Sequence, residues 1–261
     1  YRTLIPYSTA IMAIKISTMT AQEQIFLLGD PQYYNITPQK RFLLSHAVAK
    51  AFASTRYNKK AYDFAYKFSN KHASQGYILQ QKDPQGFKRK AQEQHHEFRE
   101  TIEATGAKTL TLPALEGCPD LVFTADGSIT MTLPQHEQNT EEISISLISK
   151  FTNPDRIKEA KHHEQFLRDN SKKIGLKNHK IIHSPYNIEG TGDNIYSPAY
   201  DTIFSGKQPA ENNPIHGRTD PKSLELLGAA FDTEISSEFT GDNFFHRDTF
   251  TGFLSRGHIL T

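Results

Sequence analysis

Two aspartates six residues apart, Asp120 and Asp126, bracket the short apolar run Leu121-Val122-Phe123. If that run is extended, its period of two turns both carboxylates to one side. Two carboxylates on one wall suit a flat cation with several N–H donors, because a guanidinium presents five in a fixed fork. The same residues also read as turn formers, Asp120 after Pro119 and Asp126 before Gly127. A second acidic stretch, Ile188-Glu189-Gly190-Thr191-Gly192-Asp193-Asn194, places an acid on a loop, where it could orient an imidazole. Glycine beside aspartate is equally ordinary loop material. Phe244-Phe245-His246-Arg247-Asp248-Thr249 carries the residue type that moves protons near neutral pH, although one histidine among 12 is more often a satisfied structural group. Gly217-Arg218-Thr219-Asp220 offers either a grip on a substrate carboxylate or a surface arginine beside a helix cap.

The elements around these stretches follow from pattern. Ile25 to Leu28 is an apolar strand closed by Gly29-Asp30-Pro31. Aromatic, helix-spaced residues run from about Lys40 to Gly76, and a clearer helix spans Phe87 to Thr105, ended by Gly106. Thr109–Leu112, Leu121–Thr124, Ser128–Leu133 and Ser144–Ser149 are predicted strands. Asn153 caps a helix with Pro154 at its first position, and Ile157, Ala160, Leu167 and Ile174 supply its apolar stripe. Strands follow at Lys180–His183, Ile195-Tyr196 and Thr202–Ser205. Asp220-Pro221 opens another helix, with Leu224, Leu227 and Phe231 facing inward. Glu234–Phe239 and Phe250–Leu260 close the series. Several strands precede each helix, so the order is not the strict alternation of a doubly wound sheet.

Composition narrows the function. Lys+Arg 30 against Asp+Glu 29 gives a net charge of +1, which argues against a nucleic-acid or membrane-surface binder. No apolar run approaches a membrane span, and the single cysteine, Cys118, cannot form an intrachain disulfide. A cytoplasmic protein is the expectation. His95-His96-Glu97 and His162-His163-Glu164 lack the second histidine four residues on that a zinc-binding helix needs, and both are expected on polar helix faces. No glycine-rich loop opens a helix to cradle a phosphate. Neither metal nor cofactor is expected.

Taken in order, Pro-Asp-x-Val-Phe-x-x-Asp, Glu-Gly-x-Gly-Asp, Gly-Arg-Thr-Asp and Phe-His-x-Asp-Thr resemble the dimethylarginine dimethylaminohydrolase and amidinotransferase families of guanidino-group-modifying enzymes. Asp30-Pro31-Gln32-Tyr33-Tyr34 is similar to their first substrate-side loop. The resemblance implies an α+β pentein fold, an α/β propeller of five ββαβ modules about a pseudo-fivefold axis, here incomplete with about four. The expected layout is an extension at 1–24, then one domain over 25–261 with a helical insertion around 39–86. The implied activity is that of a C–N hydrolase acting on linear amidines, or an amidinotransferase. A cysteine thiolate attacks the guanidinium carbon of arginine or a substituted arginine. By position, the resemblance makes His246 the general acid/base and Glu189 its orienting acid. Asp126 holds the guanidinium nitrogens, Arg218 grips the substrate carboxylate, and Asp120 supports the loop or takes a secondary substrate contact. Asp193 matches the pattern without an assigned role. No cysteine follows His246, where the family keeps its nucleophile, so this chain is expected to be inactive by itself. The partner implied is a small guanidino molecule. A pentein-fold protein that binds a ligand without catalysis is the alternative.

Overall fold

The computed structural model describes residues 12–14, 25–35, 74–133, 141–197, 202–207, 219–239, 252–253 and 259–260, and within them one arrangement of strands occurs three times. In the first unit, β1 (Met12–Ile14) runs antiparallel to β2 (Ile25–Gly29), α1 (Pro84–Glu103) crosses over, and β3 (Lys108–Leu112) returns parallel to β2. The second repeats this with β4 (Ser128–Leu133), β5 (Ile143–Ile148), α2 (Ile157–Asn170) and β6 (Lys180–His183). The third uses β7 (Asn194–Ser197), β8 (Thr202–Lys207), α3 (Pro221–Phe231) and β9 (Glu234–Phe239). A further antiparallel pair joins β10 (Gly252–Phe253) to β11 (Ile259–Leu260). A parallel neighbour can be reached only by a crossover, which is why each unit needs its helix.

One local signal opens all three helical segments: an Asx residue followed by proline. Asp83 accepts from the Gly86 amide at 2.8 Å, Asn153 from Asp155 at 3.0 Å, and Asp220 from Lys222 at 2.8 Å. Each satisfies an otherwise unpaired helix donor, and Pro84, Pro154 and Pro221 sit where no donor is needed. The middle segment begins with a 3-10 turn, Pro154–Arg156, before α2 proper.

Two of the cores lie between successive units. Leu27 and Leu112 of the first sheet pack with Ile148 of the second sheet and Leu167 of α2. In the same way, Ile129, Met131, Ile145 and Leu147 of the second sheet pack with Ile203 of the third and with Leu227 and Phe231 of α3. The first and second sheets therefore each bury one face against the helix of the next unit. On the other face of β2, Leu28 meets Phe98 and Ile102 of α1.

Most expected elements fall within a residue or two of their observed bounds, and the departures are informative. Leu121–Thr124 is not a strand: the Phe123 amide donates to Asp120 O at 2.9 Å and Asp126 to Phe123 O at 3.1 Å, a succession of tight turns ending in a 3-10 turn over Thr124–Gly127. Asp120 and Asp126 are thus brought near one another by turns and not by a shared strand face. Ile157, expected in the buried stripe of α2, is 61% exposed. Glu159 and His163 join the expected Leu167 on the buried face, so His163 does not lie on a polar surface as expected. The expected insertion around 39–86 falls largely outside the described residues, of which 74–82 are helical.

Candidate functional site

The two acidic stretches occupy equivalent places, each leading into the first strand of a unit: Thr124–Gly127 enters β4, and a single helical turn, Gly190–Asp193, enters β7. They dock on each other. A Cβ at Gly190 would fall 2.4 Å from Ala125 O and 2.8 Å from the Asp126 carbonyl, and Gly190 also has φ +44°. Only glycine fits both demands. Thr191 Oγ1 donates to Ala125 O at 2.9 Å, and Thr124 Oγ1 donates to Leu27 O at 2.8 Å, tying the pair to the end of β2. Gly29, at that end, lets the backbone of Leu121 and Val122 approach to 2.5 Å of where its Cβ would be.

This docking brings Asp126 and Glu189 to one buried point, and between them lies a residue that composition did not single out. Arg156, at the end of the 3-10 turn before α2, donates to Asp126 Oδ2 at 2.7 Å and from Nε to Glu159 Oε2 at 2.9 Å. Glu189 Oε2 is 3.7 Å from the same guanidinium. Arg156 also donates to the backbone oxygen of Asp120 at 3.3 Å, and Phe151 covers one guanidinium face with its ring centroid 4.2 Å away. Glu189 is held from its other oxygen by the Thr152 amide at 3.2 Å. The side chains of Asp126, Arg156, Glu159 and Glu189 are all buried.

Three carboxyl groups surround one guanidinium in a buried place, where a charge without a partner is costly. Burial alone would lower the Arg156 pKa, but Asp126, Glu159 and Glu189 together outweigh it and raise the pKa further. Burial lifts Glu159 from 4.5 to about 7, against the opposing pull of Arg156. Its second oxygen, Oε1, has no hydrogen-bond partner among the described residues, which adds to the cost of ionising it.

The other expected site residues separate into those described and those not. Asp120 is half-buried beside the cluster, and its charge, after burial, raises the Tyr34 hydroxyl pKa. Asp193 is fully buried and accepts from Thr219 Oγ1 at 2.7 Å, while the Asp220 amide donates to Asn187 O at 2.8 Å. These bonds join the Glu-Gly-Thr-Gly-Asp and Gly-Arg-Thr-Asp stretches and give Asp193 a structural task. Arg218 and His246 lie outside the described residues. Cys118 is buried in the core between the first two units, and burial raises its thiol pKa, the reverse of what a nucleophile needs. Among the described residues, no group of three or more His, Cys, Asp or Glu is arranged to hold a metal ion, and no helix is long and apolar enough to cross a membrane.

Sequence comparison finds neither a matching protein family nor a matching curated protein. Structural comparison does find relatives. The N-terminal domain of ArgZ, an arginine dihydrolase from the ornithine–ammonia cycle in cyanobacteria, solved with a covalently bound reaction intermediate, matches with a TM-score of 0.56 and 18% identity over 90% of this chain. A mutant of AgrE in complex with L-arginine matches with a TM-score of 0.55 at 18% identity, again over 90% of this chain. Apo ArgZ matches at 0.51 and 22% identity over 64%. The chain spans 65% of the ArgZ N-terminal domain, 26% of AgrE and 23% of the apo ArgZ chain. At these identities what is shared is the fold. The chain has the mixed α+β fold of the pentein-type guanidino-modifying enzymes that its motifs resemble.

Proposed function

We propose that this chain forms the substrate-holding part of an enzyme that modifies the guanidino group of arginine or a substituted arginine. The observation that carries the reading is the convergence of Asp126 and Glu189, carboxylates from two separate loops, on one buried guanidinium, that of Arg156. Carboxylates that meet from separate loops suit a flat cation better than a neutral or anionic ligand. In the reaction, a cysteine thiolate adds to the guanidinium carbon, whose delocalised charge makes it a poor electrophile until carboxylates fix its plane. The C–N bond to the departing nitrogen then breaks as His246 protonates it, and ammonia or an amine leaves. Water resolves the amidino-enzyme in a hydrolase and an amine resolves it in a transferase. Glu189 orients His246, Asp126 holds the guanidinium, Arg218 binds the substrate carboxylate and Asp120 supports the loop. The buried, high-pKa Cys118 is a poor fit for the nucleophile, and family order places that cysteine after His246. The ββαβ units are arranged as a propeller around the substrate channel.

Calorimetric titration tests the binding half of this reading. L-Arginine is expected to bind, and L-citrulline, with a neutral ureido group of similar shape, to bind at least about tenfold more weakly, the scale of one charge-assisted hydrogen bond. Asp126→Asn is expected to abolish the preference. Equal binding of the two ligands, or a preference that survives Asp126→Asn, contradicts the reading.

A further inference from the structure

We propose that His163 is a positioning residue that fixes the main chain of Asp126 from beneath, a role that rests on the reading of Asp126 as the guanidinium-binding acid. The imidazole is buried on α2, one turn beyond Glu159 and two beyond Arg156. Its Nε2 is 3.1 Å from Ser128 Oγ. Its ring lies so close over Gly127 that a Cβ there would fall 2.3 Å from Nδ1 and 2.6 Å from Cγ. The space under the ring is therefore available only because residue 127 is glycine.

The same tripeptide is also clamped by the end of β5. The Ser149 amide donates to Gly127 O at 3.1 Å, and Ser149 Oγ donates to Asp126 O. Asp126, Gly127 and Ser128 are thus gripped between β5 and α2. One helical segment holds the Asp126 carboxylate through Arg156 and the two residues that follow it through His163, which packs on Gly127 and meets Ser128 Oγ.

A packing role alone would be met by any side chain of similar volume, but the hydrogen bond is not isolated. Ser128 Oγ is 3.4 Å from Thr130 Oγ1, which is 2.8 Å from Ser146 Oγ, which is 2.8 Å from His179 Nε2. Hydroxyls across β4 and β5 therefore link the two imidazoles, and that chain sets the direction of the Ser128 hydroxyl that meets His163. Such linked groups hold each other in place better than isolated ones. An apolar residue at 163 would leave the chain without its buried end.

The test uses the full chain with His163→Leu, His163→Gln and Ser128→Ala, read by L-arginine affinity and by hydrogen exchange at the Gly127 and Ser128 amides. His163→Leu and Ser128→Ala are each expected to weaken arginine binding about tenfold and to speed exchange at those two amides by a similar factor, the scale of one lost hydrogen bond. His163→Gln, which keeps a polar group near the Nε2 position, is expected to restore both. Far-UV circular dichroism is expected to be unchanged. Native affinity and native exchange in both His163→Leu and Ser128→Ala overturn the proposal. If the unaltered chain binds no arginine, the guanidinium reading of Asp126 fails by itself. The exchange data then decide alone whether His163 holds the segment, and unchanged exchange in His163→Leu refutes it. If His163→Leu does not fold, Ser128→Ala alone decides.

Discussion

Glu159 and His163 sit one turn apart on α2, both buried, and their protonation pulls stability in opposite directions. Glu159 is raised from 4.5 to about 7, so between those values the folded protein holds a proton that the unfolded chain has released, and stability falls as pH rises. Burial and, next, the neighbouring His162 lower His163 from 6.5 to about 4. There the unfolded chain takes up a proton that the folded one excludes, and stability falls as pH drops through that window. The two slopes oppose each other between about pH 4.5 and 6.5. Glu159→Gln is expected to expose the loss towards acid, and His163→Gln the loss towards pH 7, in urea midpoints measured from pH 4 to 8. Midpoints that run parallel to those of the unaltered chain contradict the assignment. Removing the cation is more severe. Arg156→Met leaves three buried acids facing one another and is expected to cost about 3–5 kcal/mol in urea unfolding, and Arg156→Lys loses the fork that serves them. Asp126 and Glu189 were legible because acids beside glycines between strands suggest a site. Arg156, Glu159 and His163 were not, because charged residues at helical spacing normally mark the face turned to water. The available signal was the apolar Leu167 in register with them.

At the scale of elements, alternation and capping were enough to place the strands and helices of the second and third units. Ser-Ile-Thr-Met-Thr-Leu alternates throughout and Ile-Ser-Ile-Ser-Leu-Ile up to Leu147, and the hydroxyls on one face pair across the strands, Thr130 with Ser146 and Thr132 with Ser144, each at 2.8 Å. Leu121–Thr124 misled because a short apolar run looks the same whether it extends or coils into turns. What decides is the chain that packs on it, and the close approach of Gly29 is not visible locally. Gly190 offers the sharpest test of the docked loops. Gly190→Ala combines a positive φ with a Cβ 2.4 Å from Ala125 O, and it is expected to cost about 1–3 kcal/mol in thermal or urea unfolding. A neutral outcome would mean that the two loops do not touch as described.

Among the described residues, two of the cores are shared between successive units, a property that sequence patterns within one element do not reveal. Leu167 lies on α2 of the second unit yet packs against Leu27 and Leu112 of the first. Leu167→Ala is expected to cost about 2–5 kcal/mol and to speed amide exchange in β2 and β3 as well as in α2. Damage confined to the second unit would argue against shared cores. The parallel strands also differ in how far apart they lie along the polypeptide. Ile25 pairs with Lys108, Ile145 with Lys180, and Thr202 with Glu234. The first of these contacts closes a loop more than twice as long as either of the others, and the entropy of closing it makes that encounter about three to four times rarer. During refolding, β2 and β3 are therefore expected to acquire protection after β5–β6 and β8–β9, so the amino-terminal sheet zips up last onto a scaffold that its successors have already built.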